Sequence, residues 1–434
     1  MATAYKAKLL CSGIFVSRRD KLALLQEDLA VGSLAPLRLL TSKVDFENKT
    51  VTVSFLGRFK RVALYRPGLG STLVLDRTVE ELRLQSVPFH AWCVKHPMCD
   101  YLLPIAEETL RGIDRKRLAQ TVESAFAQKE ARTRAVVVLY QGKIVAERYA
   151  AEFSAETPML GWSMAKSVVN ALVGILVKEE KLSLTSKCLL PEWQGDLRRA
   201  ITLDQLLKMN SGLRFSEEYA NPCSDVITML FHRGDGAAYA AQRPLQYSPG
   251  SAFCYSGGAT VLLCRIIREA VGGSLGDYFA FPRRALFDRI GMASAVMEPD
   301  AAGTFTGSSF MYATARDWAK FGLLYLQDGC WEVEGEWQRI LPEGWVRYSA
   351  APSERADFYG AHFWRGVPNS FTDRARSKDG GWPEDAYLAA EYQGQFVTVV
   401  PSRELVVVRL GLSQERNSWD QVRFIEEVVA AVKA

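Results

Sequence analysis

The sequence predicts an α/β protein of the α+β type. One mainly antiparallel sheet is flanked by helices, and a large helical insert and a β-rich N-terminal extension are added to it. Three observations carry this prediction: short β-like runs over residues 1–115, mostly helical patterns over about 163–350, and hairpin patterns on either side of that stretch. Strands that bracket a helical region are typical of this class. We expect residues 1–115 to form the extension and residues 116–434 to form the main domain.

Apolar runs with strand periodicity define the individual elements. The predicted strands are Thr50–Leu56, Arg61–Tyr65, Ala135–Tyr140, Lys143–Tyr149, Phe396–Val400 and Leu405–Leu410. Gly142 lies in the two-residue connection that makes the third and fourth strands a hairpin. Helical patterns at about 114–129 and 419–432 lie beside these hairpins, and one antiparallel sheet closed by both ends of the chain is expected.

Composition and charge exclude several classes of protein. With 53 basic and 49 acidic residues among 434, the net charge of +4 gives no electrostatic footprint for nucleic acid. No apolar stretch approaches the roughly 18–20 residues of a membrane span. The segment Leu9–Val16 is short and has no small-residue cleavage pattern after it, so it does not resemble a secretory leader. As written, the chain is expected to be cytoplasmic, or periplasmic if a leader has been trimmed from it.

The cysteines do not indicate a disulfide framework or a metal site. Eight cysteines in 434 residues are too dilute for a disulfide scaffold, and none forms a CxxC pair. Cys93, His96 and Cys99 are close in sequence, but they have no fourth ligand at a usable spacing. We therefore expect no metal and no organic cofactor.

The segment from Gly161 to Val177 carries the strongest chemical signal. It is nearly all apolar from Val168 onward, which predicts a buried helix with Ser163 at its start. Lys166 follows three residues later, so a helix places the two side chains on one face. Burial lowers the pKa of a lysine, and a neutral amine can take a proton from a nearby hydroxyl. The simpler interpretation is a serine N-cap with a lysine that reaches solvent.

Two further segments contain residues suited to the same chemistry. Tyr255 follows a Pro-Gly turn and precedes an apolar helix, where a phenol near a lysine can act as base or proton relay; packing of its ring is the alternative. Gly394 precedes the strand Phe396–Val400, so the backbone there can approach a substrate closely, and the N–H of Gln395 is a candidate oxyanion donor. An ordinary glycine turn would explain the same pattern.

Taken in order, the three segments resemble the serine β-lactamase and penicillin-recognising superfamily. They are most similar to its class C-like branch of carboxylesterases, D-aminopeptidases and 6-aminohexanoate-dimer hydrolases. Ser163-Met164-Ala165-Lys166 matches the first motif. Tyr255-Ser256-Gly257 stands where the branch has Tyr-x-Asn, and Tyr392-Gln393-Gly394-Gln395 resembles the third motif, usually Lys-Thr-Gly or His-x-Gly. The resemblance covers about residues 120–430.

The resemblance implies a β-lactamase/transpeptidase-like fold and a role for each residue. Ser163 would be the nucleophile, and Lys166 and Tyr255 would move its proton. Gln395, Gly394 and Tyr392 would face the oxyanion and the substrate, and Tyr219 would be a substrate-facing tyrosine on a loop. The expected partner is a small ester or amide, with no nucleic acid and no membrane; the oligomeric state stays open.

Two departures from the motifs shape the functional hypothesis. Tyr392 replaces a cation that would hold a carboxylate, and Gly257 replaces an amide that would bond an acylamide. Both favour a carboxylesterase or a linear-amide hydrolase over a true β-lactamase or DD-peptidase. They also leave open a catalytically silent binding module. A weaker alternative is an α/β-hydrolase nucleophile elbow around Ser163, with His362 as its late histidine.

Overall fold

The computed structural model describes residues 1–29, 32–86, 101–108, 110–368 and 381–432. Its strands are β1 (Thr41–Asp45), β2 (Thr50–Phe55), β3 (Arg58–Arg66), β4 (Gly70–Leu73), β5 (Thr133–Tyr140), β6 (Lys143–Tyr149), β7 (Met159–Leu160), β8 (Val296–Met297), β9 (Met311–Ala313), β10 (Cys330–Val333), β11 (Glu336–Arg339), β12 (Tyr387–Glu391), β13 (Gln395–Val400) and β14 (Leu405–Gly411).

The α-helices are α1 (Ala2–Phe15), α2 (Lys21–Ala23), α3 (Val79–Leu84), α4 (Arg115–Ala127), α5 (Met164–Lys178), α6 (Leu203–Leu207), α7 (Asp225–His232), α8 (Gly236–Ala241), α9 (Gly257–Val271), α10 (Leu275–Pro282), α11 (Ala315–Leu326), α12 (Trp345–Ala350) and α13 (Gln421–Ala431). None of the helices in the described ranges combines the length and the apolar composition needed to cross a bilayer. Cys93, His96 and Cys99 lie outside the described residues.

The chain divides into two compact units, and each unit is built from three separate segments of the sequence. Unit 1 comprises residues 1–94, 176–284 and 296–312, and unit 2 comprises 95–175, 285–295 and 313–434. The predicted boundary at residue 115 stays a prediction.

Unit 2 contains the sheet that the hairpin patterns predict. Its five strands lie in the order β12-β13-β14-β5-β6, and every neighbouring pair is antiparallel. Strands from residues 133–149 and from residues 387–411 therefore meet in one sheet, whereas the strands of residues 41–73 form a separate sheet. The α+β prediction, with helices flanking an antiparallel sheet, is confirmed.

Both faces of this sheet are covered, which explains why its strands are apolar without alternation. On one face α4 and α13 pack together, and Val122 and Ile425 share a buried cluster with Val407. On the other face α11 packs against β13 and β14. A Cβ at Gly322 of α11 would lie 2.5 Å from a methyl of Val406, so this helix can approach the sheet only with glycine there.

Unit 1 contains the four-stranded antiparallel sheet β1-β2-β3-β4, which confirms the two strands predicted over residues 50–65. The prediction of β-like runs throughout residues 1–115 was wrong for the N-terminus, because Ala2–Phe15 is an α-helix packed against β2, β3 and β4. Helix α1 is buried nearly all round, so it lacks the one-sided stripe that reveals a surface helix.

A buried ion pair fastens α1 within unit 1. Lys8 Nζ lies 2.7 Å from Glu298 Oε2, and both side chains are almost fully buried. The other carboxylate oxygen of Glu298 accepts hydrogen bonds from Ser12 Oγ at 2.8 Å and from the N–H of Ser71 at 2.7 Å. The carboxylate therefore joins α1 to β4.

Neutralising one partner of this pair should destabilise the protein strongly. Glu298→Gln leaves the Lys8 ammonium buried without its counter-ion, which is expected to lower the free energy of unfolding by about 3–5 kcal/mol. Urea denaturation followed by circular dichroism measures the change. The double variant Lys8→Met/Glu298→Leu should recover most of the loss, because it removes the unpaired charge; a double variant as unstable as Glu298→Gln would contradict this account.

Candidate active site

Ser163 is held at the mouth of α5 by a tight turn. The residue before it, Trp162, has a left-handed backbone with φ of 48°, an uncommon conformation for a bulky side chain. A Cβ at Gly161 would lie 2.3 Å from a ring carbon of Trp318, so only glycine fits at this position before the turn. Helix α5 begins at Met164 and places Ser163 in a setting where only 4% of it is exposed.

Lys166 contacts Ser163 directly. Its Nζ is within hydrogen-bonding distance of Ser163 Oγ, and 1% of the lysine is exposed. The spacing of three residues along the first turn of α5 produces this contact, as the sequence predicts. A lysine that reaches bulk solvent is therefore excluded, and an amine and a hydroxyl meet in a water-poor environment.

Polar side chains that the sequence analysis did not single out anchor α5. Ser167 Oγ donates to the C=O of His362 at 2.6 Å. Asn170 is fully buried: its Nδ2 donates to the C=O of Ala361 at 2.9 Å, and its Oδ1 accepts from Tyr325 OH at 2.6 Å. Ser167 and Asn170, two uncharged polar residues in the apolar stretch that follows Lys166, were the available signal, because buried polar groups are almost always paired.

The turn between β12 and β13 lies against Trp162. The indole Nε1 of Trp162 donates to Gln393 Oε1 at 3.0 Å. The ring of Tyr392 meets the Trp162 ring edge-on, with centroids 5.4 Å apart and planes at 90°. Gln393 and Gly394 both have positive φ, of 65° and 78°. Within unit 2, Trp162 therefore joins the segment that contains Ser163 and Lys166 to the third motif segment, which contains Tyr392 and Gln393.

The backbone directions along β12 correct one expectation. Leu388 exchanges both of its backbone hydrogen bonds with Trp364, at 2.8 and 2.9 Å, so its N–H and C=O point away from β13. The directions of the backbone N–H and C=O groups alternate along a strand, so those of Glu391 point toward β13. Glu391 and Gln395 therefore form a backbone hydrogen-bonded pair. The N–H of Gln395 is therefore bonded within the β12–β13 ladder. The backbone N–H of Tyr392, by the same alternation, points away from β13, as that of Leu388 does.

The side chain of Gln395 is also committed to the structure. Its Nε2 donates to the C=O of Gly411 at 2.7 Å, and its Oε1 accepts from the N–H of Gly411 at 3.1 Å. Gln395 thus cross-links β13 and β14. These bonds favour a role for the Gln395 side chain in supporting the β12–β13 turn, and they disfavour direct contact of that side chain with a substrate.

The two remaining predicted site residues belong to unit 1. Tyr255 lies in the loop that leads into α9, whose N-cap is Ser256, and it is half-buried. Tyr219 is also half-buried, in a turn after Glu217. The N–H of Gly257 donates to Glu217 Oε2 at 2.7 Å. A Cβ at Gly257 would lie 3.0 Å from the other carboxylate oxygen, so a carboxylate lies where a side chain at this position would project.

One alternative for this site, the α/β-hydrolase elbow, does not fit the structure. An α/β-hydrolase elbow requires a parallel sheet, whereas the sheet in unit 2 is antiparallel. Within the described ranges, no group of three or more His, Cys, Asp and Glu side chains is arranged to hold a metal ion.

Comparison with known proteins decides the family. The sequence profile of the β-lactamase family matches residues 118–427, well over half of the chain. The chain belongs to the β-lactamase family. The resemblance drawn from the three motifs is thereby confirmed.

Individual relatives of this β-lactamase family member carry several names. The 6-aminohexanoate-dimer hydrolase of Paenarthrobacter ureafaciens is 26% identical over 238 residues, which span 52% of this chain and 59% of that enzyme. A Bacillus anthracis structure provisionally named as such a hydrolase superposes with a TM-score of 0.60 at 21% identity, over 80% of this chain and 95% of its own. A family VIII carboxylesterase gives 0.53 at 15% identity, over 76% and 98%. At these identities the superpositions show a shared fold.

Proposed function

We propose that this protein is a serine hydrolase that cleaves an ester or amide bond through an acyl-enzyme on Ser163. One observation carries the proposal: the amine of Lys166 contacts the Ser163 hydroxyl, and both are buried. A serine hydroxyl is a weak nucleophile until an adjacent base takes its proton. Lys166 is the base that the described residues of unit 2 provide at this distance.

The reaction follows from this pair. Ser163 Oγ attacks the carbonyl carbon while its proton passes to the neutral amine of Lys166. The tetrahedral intermediate then expels the alcohol or amine, which takes up the proton that Lys166 received from Ser163. Water hydrolyses the acyl-Ser163 ester in a second cycle, in which Lys166 accepts a proton from the water and returns it to Ser163 Oγ. Tyr255 stays a sequence prediction as the phenol that shares this proton transfer with Lys166.

The backbone supplies the oxyanion donors in this proposal. Helix α5 begins directly after Ser163, so the serine N–H lies at the helix N-terminus, the positive end of the helix dipole. The second donor is the N–H of Tyr392, which takes the role expected of Gln395, because the ladder uses the N–H of Gln395. Gly394 and Gln395 shape and support the turn that presents it.

The substrate class follows from what the site lacks. Burial raises the pKa of Tyr392, so the group at the position of the usual third-motif cation is a neutral phenol at neutral pH. Position 257 offers no amide side chain. An uncharged acyl group therefore fits better than the carboxylate-bearing acyl part of a penicillin. The names of the relatives, a dimer hydrolase of an ω-amino acid and a carboxylesterase, are compatible with this class.

A substrate panel tests the proposal. Short-chain p-nitrophenyl esters and the linear dimer of 6-aminohexanoate should be turned over faster than by Ser163→Ala, with the activated esters fastest because their leaving group needs least protonation. The chromogenic cephalosporin nitrocefin should be cleaved far more slowly than the esters. Absence of Ser163-dependent turnover across the whole panel, in folded protein, would favour the silent binding module instead.

A further inference from the structure

A buried guanidinium lies directly beneath the β12–β13 turn. Arg409 of β14 has no exposed surface, and its Nη1 donates to the C=O of Gly394 at 2.6 Å. Its Nη2 donates to Thr133 Oγ1 and to Ser413 Oγ, both at 3.0 Å. The ring of Trp419 covers the guanidinium, with its centroid 4.5 Å away. All of these partners are neutral.

Keeping a charge in this position is costly for the fold. Among the described residues no carboxylate pairs with Arg409, and burial lowers its pKa to about 9. Two glycines make room for it, one in the β12–β13 turn and one at the end of β14: a Cβ at Gly394 would lie 2.3 Å from Nη1, and a Cβ at Gly411 would lie 2.4 Å from Cζ. Buried charges without counter-ions are expensive and rare in a core. This combination points to a use for the charge.

The hydrogen bonds of the strand ladder connect Arg409 to the proposed oxyanion donor. The C=O of Gly394, which accepts from Arg409, and the N–H of Gln395 belong to one peptide group. The register pairs Gln395 with Glu391, so that N–H is bonded to the C=O of Glu391. This C=O in turn shares a peptide group with the N–H of Tyr392. Two peptide groups in series thus join the cation to the donor.

Such a chain strengthens its last donor. A charged donor on a carbonyl makes a stronger hydrogen bond than a neutral one, and hydrogen bonds in series polarise one another. Each peptide group in the series becomes a better N–H donor as its own C=O is bonded more strongly. The final N–H, on Tyr392, therefore carries more positive charge than a peptide at a free turn.

We propose that Arg409 is a positioning residue of the oxyanion site. It fixes the β12–β13 turn, and it polarises the Tyr392 N–H through two peptide groups, Gly394–Gln395 and Glu391–Tyr392. This inference rests on the proposed function, because it assigns Arg409 to the stabilisation of the same tetrahedral intermediate. Arg409 touches no substrate atom. Its effect appears in the transition state, where negative charge develops, and leaves ground-state binding unchanged.

The test compares a neutral, a charged and a control variant of the full-length protein. Arg409→Met keeps the bulk and removes the charge, and Arg409→Lys keeps the charge. Ser413→Ala is the matched control, since it removes one contact of the guanidinium but leaves the bond to Gly394. Three readouts apply: kcat and KM for a p-nitrophenyl ester, the inhibition constant of an alkyl boronate that mimics the intermediate, and the infrared carbonyl stretch of the trapped acyl-Ser163.

For Arg409→Met we expect about a tenfold loss of kcat with KM unchanged, a similar loss of boronate affinity, and a carbonyl stretch at higher wavenumber. Arg409→Lys should lie between Arg409→Met and the wild type, and Ser413→Ala should match the wild type. If Arg409→Met does not fold, Gly411→Ala replaces it, because a Cβ at Gly411 would lie 2.4 Å from Cζ of Arg409 and would displace the guanidinium without a change in the β12–β13 turn itself; the same shift of the carbonyl stretch is expected.

Two results would overturn the assignment. One is a folded Arg409→Met or Gly411→Ala variant whose acyl carbonyl stretch and boronate affinity are those of the wild type. The other is an equal effect of Ser413→Ala, which would reduce Arg409 to a purely structural contact. Failure of the proposed function itself is distinguishable, since the wild type would then form no acyl-Ser163 at all.

Discussion

Ser163→Ala should reduce ester hydrolysis to the background rate, a loss of about 10³-fold or more in kcat, without changing the fold. Removing the nucleophile of a covalent mechanism leaves only binding and the oxyanion donors to accelerate the attack of water. The lost hydroxyl meets Lys166 at the start of α5, so no core packing depends on it. Steady-state kinetics with p-nitrophenyl butyrate and a thermal melt measure the two quantities.

An exposed serine provides the control for this substitution. Ser402 lies in the turn between β13 and β14, and Ser402→Ala should retain full activity. If Ser163→Ala kept more than a few per cent of wild-type turnover at an unchanged melting temperature, a different nucleophile would be responsible and the mechanism would fail.

Lys166→Met should be nearly as damaging to activity and should not destabilise the protein. Loss of the base is expected to lower kcat by roughly 10²–10⁴-fold, the usual range for a positioned proton-transfer group. Replacing a buried amine with an apolar side chain of similar length removes a desolvation cost, so the melting temperature should stay equal or rise. Single-turnover kinetics, with enzyme in excess over substrate, show whether acylation is the step that slows.

Lys166→Arg separates the base from a simple positive charge. A guanidinium stays protonated in proteins and cannot accept the serine proton, so this variant should be as inactive as Lys166→Met. Full activity in Lys166→Arg would mean that the charge at this position matters and that proton transfer uses another group. A large loss of stability in Lys166→Met would instead assign the lysine a structural role.

Local patterns in the sequence predicted the parts of the molecule that depend on near neighbours. The hairpin β5–β6 and the strands β13 and β14 follow from apolar runs and turn residues. Helix α5 follows from a continuous apolar stretch, and the Ser163–Lys166 contact follows from the pitch of a helix. Each of these is fixed within a few residues of chain, which is why periodicity and spacing were sufficient.

Features that depend on distant pairing could not be predicted in the same way. The N–H of Gln395 looked available because its partner, Glu391, is known only once the register of β12 and β13 is known. Helix α1 was missed because Lys6 and Lys8 interrupt its apolar run, although both are buried: Lys6 Nζ donates to the C=O groups of Leu37 and Leu40, and Lys8 pairs with Glu298. The sequence contains no local sign of these partners.

Arg409 shows the same limit at the candidate site. In the sequence it is one basic residue in an apolar strand, which an outward-facing position would explain equally well. Its place below Gly394 depends on the packing of β14 between β13 and β5. The two glycines that make room for it, at 394 and 411, were visible, but only one of them was read as functional.

Covalent labelling tests the central claim most directly. The folded protein is treated with a fluorophosphonate, digested, and mapped by mass spectrometry. The account predicts a single adduct on the peptide that contains Ser163, formed quickly in the wild type and much more slowly in Lys166→Met. An adduct on a different serine, or none on folded wild-type protein, would contradict it.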